Sequence, residues 1–128
     1  MKKPLDIIVA DRNPRVRSFL KRELEAEGYR VRLAETGHEV LDLVFEKVPL
    51  DLLILDPDLP DTNAASLLQK IQDRIPPLPT VIHTFLADFP DPVEAMPAEA
   101  FVEKGANSVE ELKRVIESLG ETCHSNRG

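Results

Sequence analysis

The chain has 128 residues, of which 42% are apolar and 30% charged, with a formal net charge of −7. That length suits a single domain with a real core, and the apolar share excludes wholesale disorder. The acidic balance argues against nucleic-acid binding by this domain, because no basic excess exists to neutralise phosphates.

The one cysteine, Cys123, excludes an internal disulfide and a cysteine-rich zinc site. The start, MKKPLDIIVA, is too short in apolar residues for a signal peptide, and no stretch is long and apolar enough to span a membrane. A cytoplasmic location without membrane attachment is the expectation.

Residues 5–10 form an apolar run broken only by Asp6, which reads as a buried strand ending at Asp11. Asn13 and Pro14 are a cap and a first-turn residue for a helix carrying Val16, Phe19, Leu20 and Leu24, and Gly28 closes it. Tyr29, Val31 and Leu33 alternate with Arg30 and Arg32, the pattern of an edge strand with one wet face. Thr36 and Glu39 form a capping box ahead of a helix with Val40, Leu41, Val44 and Phe45.

Residues 50–55 are nearly all apolar, as in a central parallel strand covered on both faces. A loop over residues 56–62 follows, and Asn63 caps a third helix with Leu67, Leu68 and Ile71. Residues 80–84 and 100–102 are the fourth and fifth strands. Between them, Pro90, Pro92 and Pro97 break the helix that belongs there, because an internal proline costs about 3 kcal/mol. Ser108 and Glu111 form a second capping box before a last helix that Gly120 ends, leaving a polar, frayed tail.

Strand and helix thus alternate five times with short links. The expected fold is α/β: a doubly wound, five-stranded parallel sheet with a short or irregular fourth helix. One domain over residues 1–120 and a tail over 121–128 are expected.

In such a sheet, ligands bind beyond the carboxyl ends of the strands, at the topological switch point. The first strand ends in Asp11, the third in Asp56 and the fourth in Thr84, and Lys104 follows the fifth. Two carboxylates with a backbone carbonyl can hold a hard divalent cation, most naturally Mg²⁺ with several waters. A carboxylate can also attack phosphorus and form an aspartyl phosphate, with the lysine and threonine steadying the other oxygens.

Taken together, IIVADRNP around Asp11, LILDPDLPDTNA around Asp56, VIHT ending at Thr84 and FVEKG around Lys104 resemble the receiver domain of response regulators in two-component signalling. The resemblance runs from about Leu5 to Leu119 and carries the family's flavodoxin-like fold. It implies that Asp56 is the phosphoacceptor. It implies that Mg²⁺ is held by Asp11, Asp56 and the backbone carbonyl of Asp58. Thr84 and Lys104 would contact the phosphoryl group, and Phe101 would be the aromatic that turns inward as Thr84 moves. The implied donor is a histidine kinase or phosphotransfer protein, and the receiver catalyses its own phosphorylation. The output protein is not named by the resemblance. Homodimer formation through the fourth and fifth helices and fifth strand is a family habit that the prolines here unsettle.

Five departures accompany the match. Ala10 replaces the first member of the usual acidic pair, which lowers the expected Mg²⁺ affinity. Phe85 stands where a small residue is usual and would crowd the phosphate pocket. Gly105 replaces the usual proline after the lysine, Ala64 replaces a loop glycine, and the fourth helix is interrupted. They leave open a phosphate-independent pseudo-receiver that acts as a protein-interaction module.

Singly, each residue has a plainer reading. Asp56 is a turn acid before proline, Asp11 a loop acid near a helix start, and Lys104 a solvated lysine. Thr84 is a β-branched strand residue, Phe101 is core, and His83 is a hydrogen-bonded core histidine. Asp58 and Asp61 are loop acids, and the basic residues of RVRSFLKRELE are a solvated helix face. Two other classes fare worse. Asp56-Pro57-Asp58 matches the Asp-x-Asp of aspartyl-phosphate phosphatases, yet follows the third strand rather than the first. A flavodoxin-like cofactor carrier lacks its phosphate cradle in ADRNPR.

Overall fold

A computed structural model describes residues 4–46, 48–85 and 97–126, the last six of these by backbone alone. In chain order the elements are β1 (Asp6–Ala10), α1 (Pro14–Ala26), β2 (Arg30–Ala34), α2 (Gly37–Phe45), β3 (Leu52–Leu55), α3 (Ala64–Gln72), β4 (Thr80–Thr84), β5 (Ala100–Glu103) and α4 (Ser108–Asn126). The irregular helix expected between β4 and β5 falls at residues 86–96, outside the described residues.

The strands form one parallel sheet in the order β2-β1-β3-β4-β5. The alternation of side chains along each strand divides the core in two. Ile8, Ala10, Leu53, Leu55 and Ile82 face α2 and α3, packing on Val40, Val44, Leu67, Leu68 and Ile71. Ile7, Val9, Leu52, Ile54 and Val81 face α1 and α4, packing on Leu20, Leu24, Leu112 and Ile116. Each fully buried leucine or isoleucine contributes roughly 1.5–3 kcal/mol. Asp6, the acid inside the first apolar run, is buried in β1 and held by two bonds from Arg30, at 2.9 and 2.8 Å.

Local signals explain most helix ends. Asn13 accepts from the Arg15 amide at 2.9 Å and Asn63 from the Ser66 amide at 2.8 Å, each capping its helix. Gly28, at φ +94, follows α1, with its amide on the Glu25 carbonyl and the Tyr29 amide on that of Leu24. Those two bonds are a Schellman motif.

The last helix departs from expectation at both ends. Ser108 is its first residue rather than its cap, and the Glu111 amide bonds the Asn107 carbonyl. Gly120 does not end it, because α4 continues to Asn126, so the expected frayed tail is helical through that residue. A Cβ at position 120 would lie 3.1 Å from Leu5 Cδ1. The glycine answers a close approach to the start of β1, not a need to stop the helix.

Candidate functional site

The sheet order places the switch point between β1 and β3, because the chain passes from β1 to β2 on one side and then crosses back over β1 to β3 on the other. Ala10 is paired with Leu55, and the Asp56 amide bonds the Ala10 carbonyl at 2.9 Å. This register sets Asp11 and Asp56 side by side just beyond their strands. On the other flank, the Lys104 amide bonds the Thr84 carbonyl at 2.9 Å, so the lysine leaves β5 level with the end of β4.

The four side chains meet. Thr84 Oγ1 donates to Asp56 Oδ1 at 2.9 Å, and the Asp58 amide donates to the same oxygen at 3.0 Å. Lys104 Nζ lies 2.6 Å from Asp56 Oδ2 and 2.7 Å from Asp11 Oδ2. Asp11 Oδ1 accepts the Asn13 amide at 2.8 Å. Asp11 and Thr84 are each 1% exposed and Asp56 is 5% exposed.

Burial pushes the Asp11 carboxyl above its ordinary range, against the pull of Lys104 and the Asn13 amide. Burial also opposes the charge on Lys104, but its bonds to Asp11 and Asp56 outweigh it and hold the ammonium above the usual lysine range. The site therefore sets two carboxylates against one ammonium.

Some neighbours were not legible in the sequence, whereas Phe85 was expected beside the pocket. Arg17, placed on a solvated face from its pattern, donates to the Asp11 carbonyl at 2.7 Å. Arg12 pairs with Asp58 at 3.5 Å beside the two acids. Phe85 is 51% exposed, with its ring centroid 5.4 Å from Lys104 Nζ. Asp61 reaches away from the acid pair and accepts the Gly37 and His38 amides at 2.6 and 3.0 Å. The pairing of Asp61 with Gly37 and His38 has no local sequence signal, since the two stretches meet only in the tertiary fold.

His83 is buried and bonds Ser108 Oγ at 3.1 Å, which is the core histidine its position in the strand implied. Burial and nearby Lys104 bring its pKa down to about 4. Phe101 is half-buried against the α2–α3 side of the core.

The family model for the response regulator receiver domain matches residues 7–117. The chain belongs to that family. It is thus a receiver domain of the response regulators of two-component systems, a signalling rather than a catalytic class. Among curated relatives, the DNA-binding transcriptional regulator NtrC of Klebsiella pneumoniae is 34% identical over 93 residues, covering 73% of this receiver and 20% of NtrC. The transcriptional regulatory protein TrcR of Mycobacterium tuberculosis is 27% identical over 126 residues, covering 97% of this receiver and 49% of TrcR. The chain therefore spans half or less of either relative.

Among solved structures, the response regulator TrrA of Thermotoga maritima, in complex with Mg²⁺-BeF, is 30% identical with a TM-score of 0.79, over 90% of this receiver and 98% of TrrA. TrrA has also been solved with the histidine kinase ThkA; that chain is 29% identical with a TM-score of 0.76, over 90% of this receiver and 97% of the other chain. The signal receiver domain of a LuxO-type repressor from Vibrio parahaemolyticus shares the fold at a TM-score of 0.82, with 21% identity over 98% of this receiver and 96% of that domain.

Among the described residues, no group of three or more His, Cys, Asp or Glu side chains is placed to hold a metal ion. The donor set suits a cation that keeps most of its water: two adjacent carboxylates whose charge one ammonium only half offsets. No helix among the described residues is long and apolar enough to cross a membrane.

Proposed function

We propose that this receiver accepts a phosphoryl group on Asp56 from a histidine kinase or phosphotransfer protein in a Mg²⁺-dependent step, in the cytoplasm. The observation that carries this reading is the buried Asp56 carboxylate held by Thr84 on one oxygen and Lys104 on the other. An acid used only as a turn residue needs neither partner.

A carboxylate oxygen of Asp56 attacks the phosphorus of a phosphohistidine. A P–O bond forms as the P–N bond breaks, and the imidazole keeps the bonding pair and takes up a proton. Asp56 then loses its charge, and the phosphoryl oxygens become the acceptors nearest to Lys104 and Thr84. The lysine ammonium and the threonine hydroxyl are transferred from carboxylate to phosphoryl, which is how the site senses the modification. Asp11, Asp56 and the Asp58 carbonyl would hold Mg²⁺, which offsets the charge on the phosphoryl oxygens. Phe101 is the side chain that follows Thr84 in this reading. Thus the chain is a phosphoacceptor that modulates protein contacts, not an enzyme acting on a separate substrate.

A docking place for the donor is offered by a cleft of about 370 Å³ beside Lys104. Phe19 and Phe85, both exposed, stand on its walls with Arg15 at the rim.

The test is intact mass after incubation with acetyl phosphate, with and without Mg²⁺, on the native chain and on Asp56→Asn. One phosphoryl adduct is expected, only with Mg²⁺ and only on the native chain. An adduct of equal yield on Asp56→Asn would remove Asp56 from its role. No adduct from acetyl phosphate and none from a phosphorylated kinase would leave an interaction module.

A further inference from the structure

We propose that Asp61 is a positioning residue, whose carboxylate fastens the loop carrying Asp56 and Asp58 to the N-terminus of α2. The inference rests on the phosphoacceptor reading for its consequence, but not for its geometry.

The first turn of a helix leaves amides without intrahelical partners. In α2 the Glu39 amide is taken by the helix's own cap, Thr36 Oγ1, at 3.1 Å. The Gly37 and His38 amides are taken from outside, by Asp61 Oδ1 at 2.6 Å and Oδ2 at 3.0 Å. A carboxylate facing the positive end of a helix also gains from the dipole. Those two amides, Gly37 first, hold the Asp61 carboxyl below the usual carboxylate range.

A second observation is steric and independent of charge. A Cβ at position 37 would lie 2.5 Å from Thr62 Cγ2 and 3.1 Å from Thr62 Cβ. Glycine is therefore required at the start of α2 because the loop after β3 is pressed against it. The contact is made by Thr62, the residue next to the one that supplies the carboxylate.

The loop between has little slack. Asp56 is held at one end by β3, and Pro57 and Pro60 fix their own φ. Leu59 is buried at 4% exposure, and its amide bonds the Pro57 carbonyl at 2.9 Å. Within this stretch the Asp58 amide donates to Asp56 Oδ1 at 3.0 Å. Fastening Asp61 thus holds Asp58 against Asp56, and sets where the Asp58 carbonyl lies relative to the acid pair. A helix that contributes no side chain to the site then helps to shape it.

The test measures amide hydrogen exchange by NMR, together with the acetyl phosphate reaction rate, on Asp61→Ala, Asp61→Asn and Gly37→Ala. In Asp61→Ala the Gly37 and His38 amides should exchange about tenfold faster, and the Asp58 amide should follow. The phosphorylation rate should fall about threefold or more, since small displacements of reacting groups are costly. Asp61→Asn keeps one acceptor oxygen and should lie between. Gly37→Ala keeps the carboxylate group but pushes on Thr62, and its Cβ would also lie 3.2 Å from Asp61 Oδ1, so it should loosen the Asp58 amide by displacing the loop sterically. It also decides the matter if Asp61→Ala does not fold.

Faster exchange at Gly37 and His38 with an unchanged Asp58 amide in both variants would overturn the proposal, leaving Asp61 as a helix cap alone. A loosened Asp58 amide with an unchanged rate would also overturn it. If the native chain takes up no phosphoryl group, the phosphoacceptor reading fails, and the Asp58 amide alone then decides the inference.

Discussion

Asp11 shows how one missing residue changes the balance of a site. With Ala10 beside it, Asp11 is the only acid that β1 brings to the rim, and Lys104 is shared between it and Asp56. Burial raises the Asp11 carboxyl above its ordinary range in spite of that lysine. A carboxyl that holds its proton more tightly when folded makes its ionised form a cost at neutral pH. That cost is relieved as pH falls through the raised value. Asp11→Asn removes the charge, keeps an acceptor for the Asn13 amide and leaves Lys104 its bond to Asp56. It should therefore raise stability in the absence of divalent metal. Urea unfolding in EDTA checks this, and a lower midpoint for Asn would contradict it. If Asp11 holds Mg²⁺ as proposed, added Mg²⁺ should raise the midpoint of the native chain and leave that of the variant unchanged.

Among the elements, α1 and α4 show two uses of glycine near a helix end. Gly28 has φ +94, and nothing lies within 4 Å of where its Cβ would be. Gly28→Ala should therefore cost about 1 kcal/mol through backbone conformation alone, read as a lower midpoint in thermal or urea unfolding. An unchanged midpoint would mean that α1 can end another way. Gly120 carries no such conformation, and helix α4 passes through it. The sequence reads both as stops because glycine is the commonest residue after a helix. The positive φ of Gly28 and the close approach of Leu5 to Gly120 separate them. Likewise Ser108 matches a capping box by spacing, yet its hydroxyl is spent on His83, a residue that β4 brings to it.

For the whole molecule, His83 links folding to acidity. It is neutral in the fold, with a pKa of about 4 against an ordinary value of 6.5. The unfolded chain takes up this proton first as pH falls. Stability is thus fully present above 6.5 and declines toward pH 4, by up to about 3 kcal/mol from this group. Asp11 acts in the opposite direction over its own raised range, so the comparison needed is with His83→Gln. Unfolding measured at several pH values should show a shallower decline in that variant. Parallel curves would exclude His83 as a source of the acid sensitivity.

The strand–helix alternation, the caps at Asn13, Thr36 and Asn63, the edge placement of β2 and the four residues at the rim are all legible in the chain read alone. These follow from short-range causes: apolar period, cap chemistry, and the rule that parallel strands present their carboxyl ends together. The sharing of Lys104 between Asp11 and Asp56, the turn of Arg17 onto the Asp11 carbonyl and the closing of Asp61 onto α2 emerge from the packed fold. Each depends on a distance between segments far apart in the chain. No local pattern encodes such a distance, because it is set by how the layers of helix and sheet pack.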